Sequence, residues 1–335
     1  MAPDFLVIRL SAIGDALLVT PIFQAILDRY PNARIHLVTG QNNLPLFQQD
    51  PRLFKVYGFN KNQPQDLFAQ LPKVFFHISD LQNNRHSRKI RQKLQGPVKV
   101  LQKQNLRKWF MVRGMKGLKP CSHVVQRYVE TLPWTVTPSH YPLQLSSSLP
   151  SDTLSFLLPE TLQQKSFIAC AIGSAHATKA IPPDLVKALL PKLPFPVLLL
   201  GTPTELNAYK DLISMFPDQL FSPNRSTTLP DMAALIQRST FVITGDTAAM
   251  HLAASFQKPM HVVWGNTTPA FGMGPWQVPE APFPVVHHQV EQLSCRPCSK
   301  LGFAQCPRGH FRCMRQNPVV QFDFRTWVSS LNATI

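Results

Sequence analysis

Five polar side chains follow apolar, β-rich runs: Asp15 after FLVIRL, Ser174 and Lys179 after FIACAI, Glu205 after FPVLLL, and Asp246 after FVIT. In an open parallel sheet such loops share one edge, and ligands bind there. The stretch FVITGDTAAMHLAASFQKPMHVVWG, residues 241–265, reads as strand, Gly245-Asp246 turn, helix opened by Thr247, and a second strand ended by Gly265. A helix N-terminus offers unpaired N–H groups to an anion. Thr247 and His251 are four residues apart and therefore share one helix face. A carboxylate at the mouth of a cleft is placed as a general base would be, and a lysine beside a helix N-terminus suits a diphosphate. The plainer readings are that Asp15 and Asp246 only cap helices and that His251 is a packing histidine.

The elements that must position these residues form two series. The first opens with a strand at Phe5–Leu10, a loop Ser11–Asp15 in which Gly14 allows a tight turn, a helix from Ala16 to Arg29, and a strand at Ile35–Thr39. Further strands are expected at Lys73–Ser79 and Val98–Leu101, and a helix at His123–Leu132. A Pro-, Ser- and Thr-rich stretch from Thr135 to Gln164 reads as the interdomain connection. The second series has strands at 167–172 and 195–200, each ending in small or polar residues: Gly173-Ser174 and Gly201-Thr202. Helices follow Pro182-Pro183 and Glu205, a short helix covers Leu229–Gln237, and a closing helix covers Asp323–Leu331. The loops at Ser174, Gly201 and Asp246 would make a nucleotide-sized site from pieces far apart in sequence.

Several chemistries are disfavoured. No Gly-x-Gly-x-x-Gly follows a strand, since the pair Gly272 and Gly274 runs into Pro275. No loop ends in Gly-Lys-Ser/Thr, and no Asp-x-Asp pair offers itself to a divalent metal on a diphosphate. What remains is diphosphate binding by a helix N-terminus, hydroxyls and a lysine, with no metal or cofactor required.

The chain has 335 residues, enough for two domains, and a net charge of +16. Between Asp80 and Glu130 it carries thirteen Lys or Arg residues and no acid. Such a block attracts polyanions: nucleic acid, phosphorylated lipid, or an anionic membrane face. Its interior, LRKWFMVRGMKGLK, mixes Trp109 and Phe110 with five cations and suits a charged, partly apolar surface. No apolar run reaches bilayer-spanning length, and Asp4, Arg9 and Asp15 interrupt the N-terminal hydrophobic stretch, so a cytoplasmic protein, in contact with a membrane surface, is expected.

Taken together, the motifs resemble glycosyltransferase family nine, the heptosyltransferases. RLSAIGDALLVTPIFQAIL resembles the family's N-terminal motif, DLQNNRHSR its Asp-Leu-x-x-Asn-x-Arg-Ser segment, and HVVQRYVETL the helix that follows. GDTAAMHLAASFQKPMHVVWGNTTP resembles its Asp-Thr-Gly, His-Leu-Ala-Ala and Phe/Trp-Gly-x-Thr elements. The resemblance implies a GT-B fold, α/β with two Rossmann-like domains facing across a cleft. Residues 1–150 would bind the acceptor, 151–320 the donor nucleotide, and 321–335 would form a helix packing back on the first domain. It further implies inverting, metal-independent transfer of heptose from ADP-heptose to a phosphorylated glycolipid, the inner core of lipopolysaccharide, at the inner face of the bacterial cytoplasmic membrane. Asp15 would be the general base, and Lys179 would neutralise the leaving diphosphate. Gly173, Ser174, Gly201, Glu205, Asp246, Thr247, Ala248 and His251 would bind the donor, with Glu205 on the ribose. Ser11, Gly14, Asn84, Arg85 and Arg88 would bind the acceptor. Two departures fall in the donor site: Ala248 replaces the family's glycine, and no aromatic residue follows Lys179.

Four cysteines cluster late in the chain, Cys295-x-x-Cys298, Cys306 and Cys313, with His310 among them. The first pair fits a zinc reading, but the second lacks matching spacing, which favours buried structural thiols, reduced in the cytosol. Two other functions keep some of these features. One is a transferase of the same fold with another nucleotide sugar. The other is a nucleic-acid-binding protein stacking bases on Trp109 and Phe110, which would leave Asp15, Lys179 and Asp246 unexplained.

Overall fold

The computed structural model describes residues 2–115, 117–146, 151–280 and 282–332. The expected domain boundary at 150, Lys116 of the basic segment, and residues 333–335 lie outside them. The first sheet contains β1 (Asp4–Arg9), β2 (Arg34–Gly40), β3 (Lys55–Phe59), β4 (His77–Asp80) and β5 (Val98–Val100), in the order β3-β2-β1-β4-β5. The second contains β6 (Ile168–Ala171), β7 (Val197–Leu200), β8 (Leu220–Phe221), β9 (Phe241–Thr244), β10 (Met260–Trp264) and β11 (Val285–Gln289), in the order β11-β10-β9-β6-β7-β8. Every strand pairing is parallel. The central strands are buried on both faces, as the helices of parallel crossovers require, so β6, β7 and β9 are continuous apolar runs rather than alternating ones.

In each sheet the order reverses beside the first strand, between β1 and β4 and between β6 and β9. Crevices open at such points, beyond the carboxyl ends of the strands. Asp15 follows β1, Lys179 follows β6 and Asp246 follows β9, so both crevices carry the singled-out side chains.

Several local expectations need adjusting. Asp15 stands in the first turn of a short helix, Ile13–Leu17, and a second helix covers Thr20–Arg29. The interdomain stretch contains helical turns at Ser151–Leu157 and Glu160–Gln163. The closing helix, Phe324–Asn332, packs on the second sheet and not back on the first domain as expected. Phe324 stacks on Phe241 at 6.1 Å, and Trp327 meets Phe241 edge-on at 5.2 Å and His261 at 4.2 Å. Phe324, Trp327 and Val328 are spaced i, i+3, i+4, and this stripe finds its apolar partner on β9 and β10. No helix among the described residues is long and apolar enough to cross a membrane.

The two halves are tied by backbone bonds. Cys121 N donates to Ala270 O at 2.9 Å and Val124 N to Gly272 O at 2.9 Å. Trp276 Nε1 donates to Tyr141 O at 2.9 Å. The helix Ile13–Leu17 also lies against the helix Ala248–Ser255, which brings the two crevices face to face.

Candidate active site

A cavity of about 1070 Å³ lies between the domains. On the first-domain side, Arg9 at the end of β1 reaches Asp15 with Nη2 2.7 Å from Oδ2. Ala12 N donates to the same oxygen at 3.3 Å. The Arg9 guanidinium also donates to Leu81 O and lies 5.6 Å from the centre of the Tyr128 ring. Asp15 is therefore held by the strand, its own helix N-terminus and the loop after β4. Nearby cations include Lys103, Lys108 and Arg127. Burial pushes the Lys103 and Lys108 ammonium groups down from their ordinary value. Arg127 is almost fully buried; Nη1 donates to Gln102 O at 3.3 Å, while Nε and Nη2 have no partner among the described residues. Leaving a buried guanidinium half-satisfied is costly, which favours an anion beside it.

On the second-domain side, Lys179 Nζ lies 2.7 Å from Asp246 Oδ2. Thr267 Oγ1 donates to that oxygen at 2.8 Å. Gly245 makes the turn possible, because a Cβ there would stand 2.4 Å from Lys179 O. Thr247 is the N-cap of the helix Ala248–Ser255 but makes no side-chain cap bond, and it meets Thr244 Oγ1 at 3.1 Å instead. Ala248 and Ala249 occupy the first turn and line the cavity, so their N–H groups have no intrahelical acceptor. Glu205 ties two strand-end loops together: Oε1 accepts from Ser174 N at 3.0 Å, and Oε2 from Thr202 N at 2.7 Å and Thr202 Oγ1 at 2.9 Å. A Cβ on Gly173 would meet the Glu205 carboxylate at 2.3 Å, so glycine is needed for that approach.

His251 stands between the halves. Burial pushes its imidazole down to about 4, against the opposing pull of Asp246 and Asp15. Its Nδ1 has no partner among the described residues.

The cavity thus brings together Ser11, Gly14, Asp15, Gly173, Ser174, Lys179, Gly201, Glu205, Asp246, Thr247, Ala248 and His251. It does not bring in Asn84, Arg85 or Arg88. Asn84 caps the helix Arg85–Arg91, accepting from Ser87 N at 2.9 Å, and Arg85 and Arg88 are exposed. Sequence reasoning missed Arg9, Lys103, Lys108, Arg127 and Lys300 as cavity residues. The acid-free block was the one signal for three of them, but it did not say which cations turn inward.

The cysteine segment is a buttress for the second-domain loops that line the cavity. Phe303 N donates to Thr178 Oγ1 at 2.8 Å, and Thr178 N donates to Phe303 O at 3.2 Å, beside Lys179. Arg296 donates to Gly265 O at 2.6 Å and Thr267 O at 2.7 Å, fixing the residue that holds Asp246. All six thiols are free. Cys313 is buried, and burial pushes it up to about 11, whereas Cys295, Cys298 and Cys306 are only half-buried. Cys295 Sγ is 3.7 Å from His310 Nε2, yet no three His, Cys, Asp or Glu side chains converge as a metal site would need among the described residues.

Two Rossmann-like domains facing across such a cleft define the GT-B class. The chain belongs to glycosyltransferase family 9 (heptosyltransferase), whose family model matches residues 68–300. The match begins after the segment that carries Asp15. A curated relative, lipopolysaccharide heptosyltransferase 3 of Escherichia coli (strain K12), is 29% identical over 73 residues. That stretch spans 22% of this chain and 21% of the relative's length. The fold is shared with E. coli heptosyltransferase WaaC with ADP, at a TM-score of 0.62 and 16% identity, covering 85% of this chain and 93% of that one. It is shared also with E. coli ADP-heptose lps heptosyltransferase II, at a TM-score of 0.63 and 16% identity, covering 93% and 98%.

Proposed function

We propose that this protein is an inverting glycosyltransferase that moves heptose from ADP-heptose to a phosphorylated glycolipid, the inner core of lipopolysaccharide. The observation that carries the reading is that Asp15 and the Lys179–Asp246 pair line one cavity from opposite domains. Family membership supports it, as do the ADP and ADP-heptose named for the two solved heptosyltransferases.

In this mechanism the acceptor hydroxyl gives its proton to the Asp15 carboxylate as its oxygen bonds to the anomeric carbon. The bond from that carbon to the diphosphate breaks on the opposite face, and its electron pair leaves with the diphosphate. Arg9 holds Asp15 in place, 2.7 Å away. Lys179 and the N–H groups of Ala248 and Ala249 take up the developing charge, and their pre-set positions avoid reorganisation during the step. A diphosphate competes with Asp246 for Lys179 and frees that carboxylate for the donor sugar. Gly173, Ser174, Gly201 and Thr247 shape the donor subsite, and Glu205 accepts from the ribose with its remaining lone pairs. His251 supports the Asp246 loop. Residues 151–320 form the donor half and 1–150 the acceptor half, where Ser11, Gly14, Lys103, Lys108 and Arg127 face the acceptor. Asn84, Arg85 and Arg88 play no part at the cavity in this reading. The enzyme needs no cofactor or metal and works at the inner face of the cytoplasmic membrane.

Calorimetry with ADP, UDP and GDP on one preparation tests the donor. A preference for ADP that weakens in Glu205→Ala supports the reading. A preference for UDP or GDP would move the donor to another nucleotide sugar, a change that Ala248 and the missing aromatic after Lys179 make worth testing.

A further inference from the structure

No residue of the helix Asn105–Val112 is fully buried: Lys108, Phe110, Met111 and Val112 are half-buried, and the other four are exposed. A helix of that length is marginal in water unless it packs, and the fold covers only part of this one. Its two sides differ. Asn105 and Lys108, three residues apart, line the cavity, and Lys108 Nζ lies 5.8 Å from the centre of the Phe271 ring across the cleft. Leu106 and Trp109, also three apart, face outward at 68% and 46% exposure, and Met115 beyond the helix is 51% exposed. Arg113 lies 3.5 Å over the Trp109 ring, and Phe110 meets the same indole edge-on at 5.0 Å. Exposed Arg107, Arg113 and Lys119 surround these apolar groups, in a stretch without an acid from 81 to 129.

We propose that this helix, with the turn to Met115, is a membrane-docking element that seats Leu106, Trp109 and Met115 in an anionic lipid bilayer. Apolar anchors rimmed by cations are what an interfacial helix uses: the rings and aliphatic chains enter the acyl boundary while the cations meet anionic headgroups. The aromatic ring and its stacked guanidinium suit the headgroup level, where one part is apolar and the other wet. Because the adjoining face of the same helix lines the cavity, docking would set the mouth of the site against the bilayer. A lipid-linked acceptor would then reach Asp15 without leaving the membrane. The inference rests on the proposed glycolipid acceptor for its purpose, but docking itself needs neither donor nor acceptor.

The test is flotation of the full chain with phosphatidylethanolamine vesicles, with and without phosphatidylglycerol, in the absence of both substrates. The expected result is partition onto anionic vesicles only. Leu106→Ser with Trp109→Ser should weaken it at least ten-fold, as should Arg107→Glu with Arg113→Glu, with ADP affinity unchanged in both. Hydrogen exchange on the unmodified chain gives a second readout: amides of 105–115 should gain protection on anionic vesicles. Absence of partition by the parent chain, partition unaltered in the double variants, or retention of single-stranded RNA in preference to vesicles would overturn the proposal. A failure of ADP to bind while vesicle docking survives would count against the transferase reading alone.

Discussion

Gly14 and His251 meet across the two domains, so closely that a Cβ on Gly14 would stand 2.8 Å from His251 Cδ2. Gly14 belongs to the helix that carries Asp15, and His251 to the helix whose N-terminus faces the donor subsite. The contact therefore sets the distance between Asp15, the proposed base, and the helix N-terminus proposed to face the leaving group. Gly14→Ala introduces a good helix former but makes the buried imidazole or the whole helix shift. It should cost about 1–3 kcal/mol of stability, as overpacking does, and lower turnover at least ten-fold with ADP affinity nearly intact. A urea titration, calorimetry and a steady-state assay check the three parts.

His251 is also a pH-sensitive group. Its folded value, about 4, lies below the ordinary 6.5, because burial disfavours the imidazolium. Between those values the unfolded chain binds more protons than the folded one, so stability falls as pH drops from about 6.5 towards 4. The loss from this residue alone is about 3 kcal/mol. His261 and His288, buried against each other at 2.8 Å, are pushed down as well and act in the same direction. Urea midpoints from pH 7.5 to 4 should decline steadily, and His251→Gln should flatten the slope.

The clamp on the donor loops predicts an effect at a distance. Arg296→Met removes the donors to Gly265 O and Thr267 O, and Thr267 in turn holds Asp246. With the bonds to Val290 O and Gln289 Oε1, four part-buried bonds from a charged group are lost, each worth about 1.5–3 kcal/mol. ADP should bind at least ten-fold more weakly, although Arg296 does not line the cavity. Unchanged ADP affinity in a folded variant would show that the loops hold themselves.

Arg127 should act on the acceptor alone. Arg127 lines the cavity from the first domain, and its buried Nε and Nη2 have no partner among the described residues. Arg127→Met should raise the acceptor KM ten-fold or more and leave ADP affinity unaltered. A compensating drop in ADP affinity would mean that the guanidinium serves the donor or the domain interface.

The strand-end loops were legible because a parallel sheet buried on both faces leaves its polar residues at the ends, where Asp15, Lys179 and Asp246 stand out from apolar runs. β3 was not: KVYGF is short, half-buried and interrupted by Gly58. Arg9 was invisible as a partner of Asp15, since a cation inside FLVIRL gives no sign of where its long side chain turns. Asn84, which the resemblance puts on the acceptor, caps its own helix N-terminus, a common role for an asparagine before a helix. The closing helix packs on β9 and β10, a partner that its aromatic stripe requires to be apolar but does not name. Long-range pairings of this kind appear only when the chain is folded.

The base is the centre of the mechanism, and one comparison tests it. Turnover of ADP-heptose onto a phosphorylated inner-core glycolipid is measured for the parent and for Asp15→Asn, with ADP affinity determined on both. Loss of a positioned general base should cost roughly 10²–10⁴-fold in turnover, with ADP bound as before. An Asp15→Asn enzyme within a few-fold of the parent would contradict the assignment and require another group to take the proton.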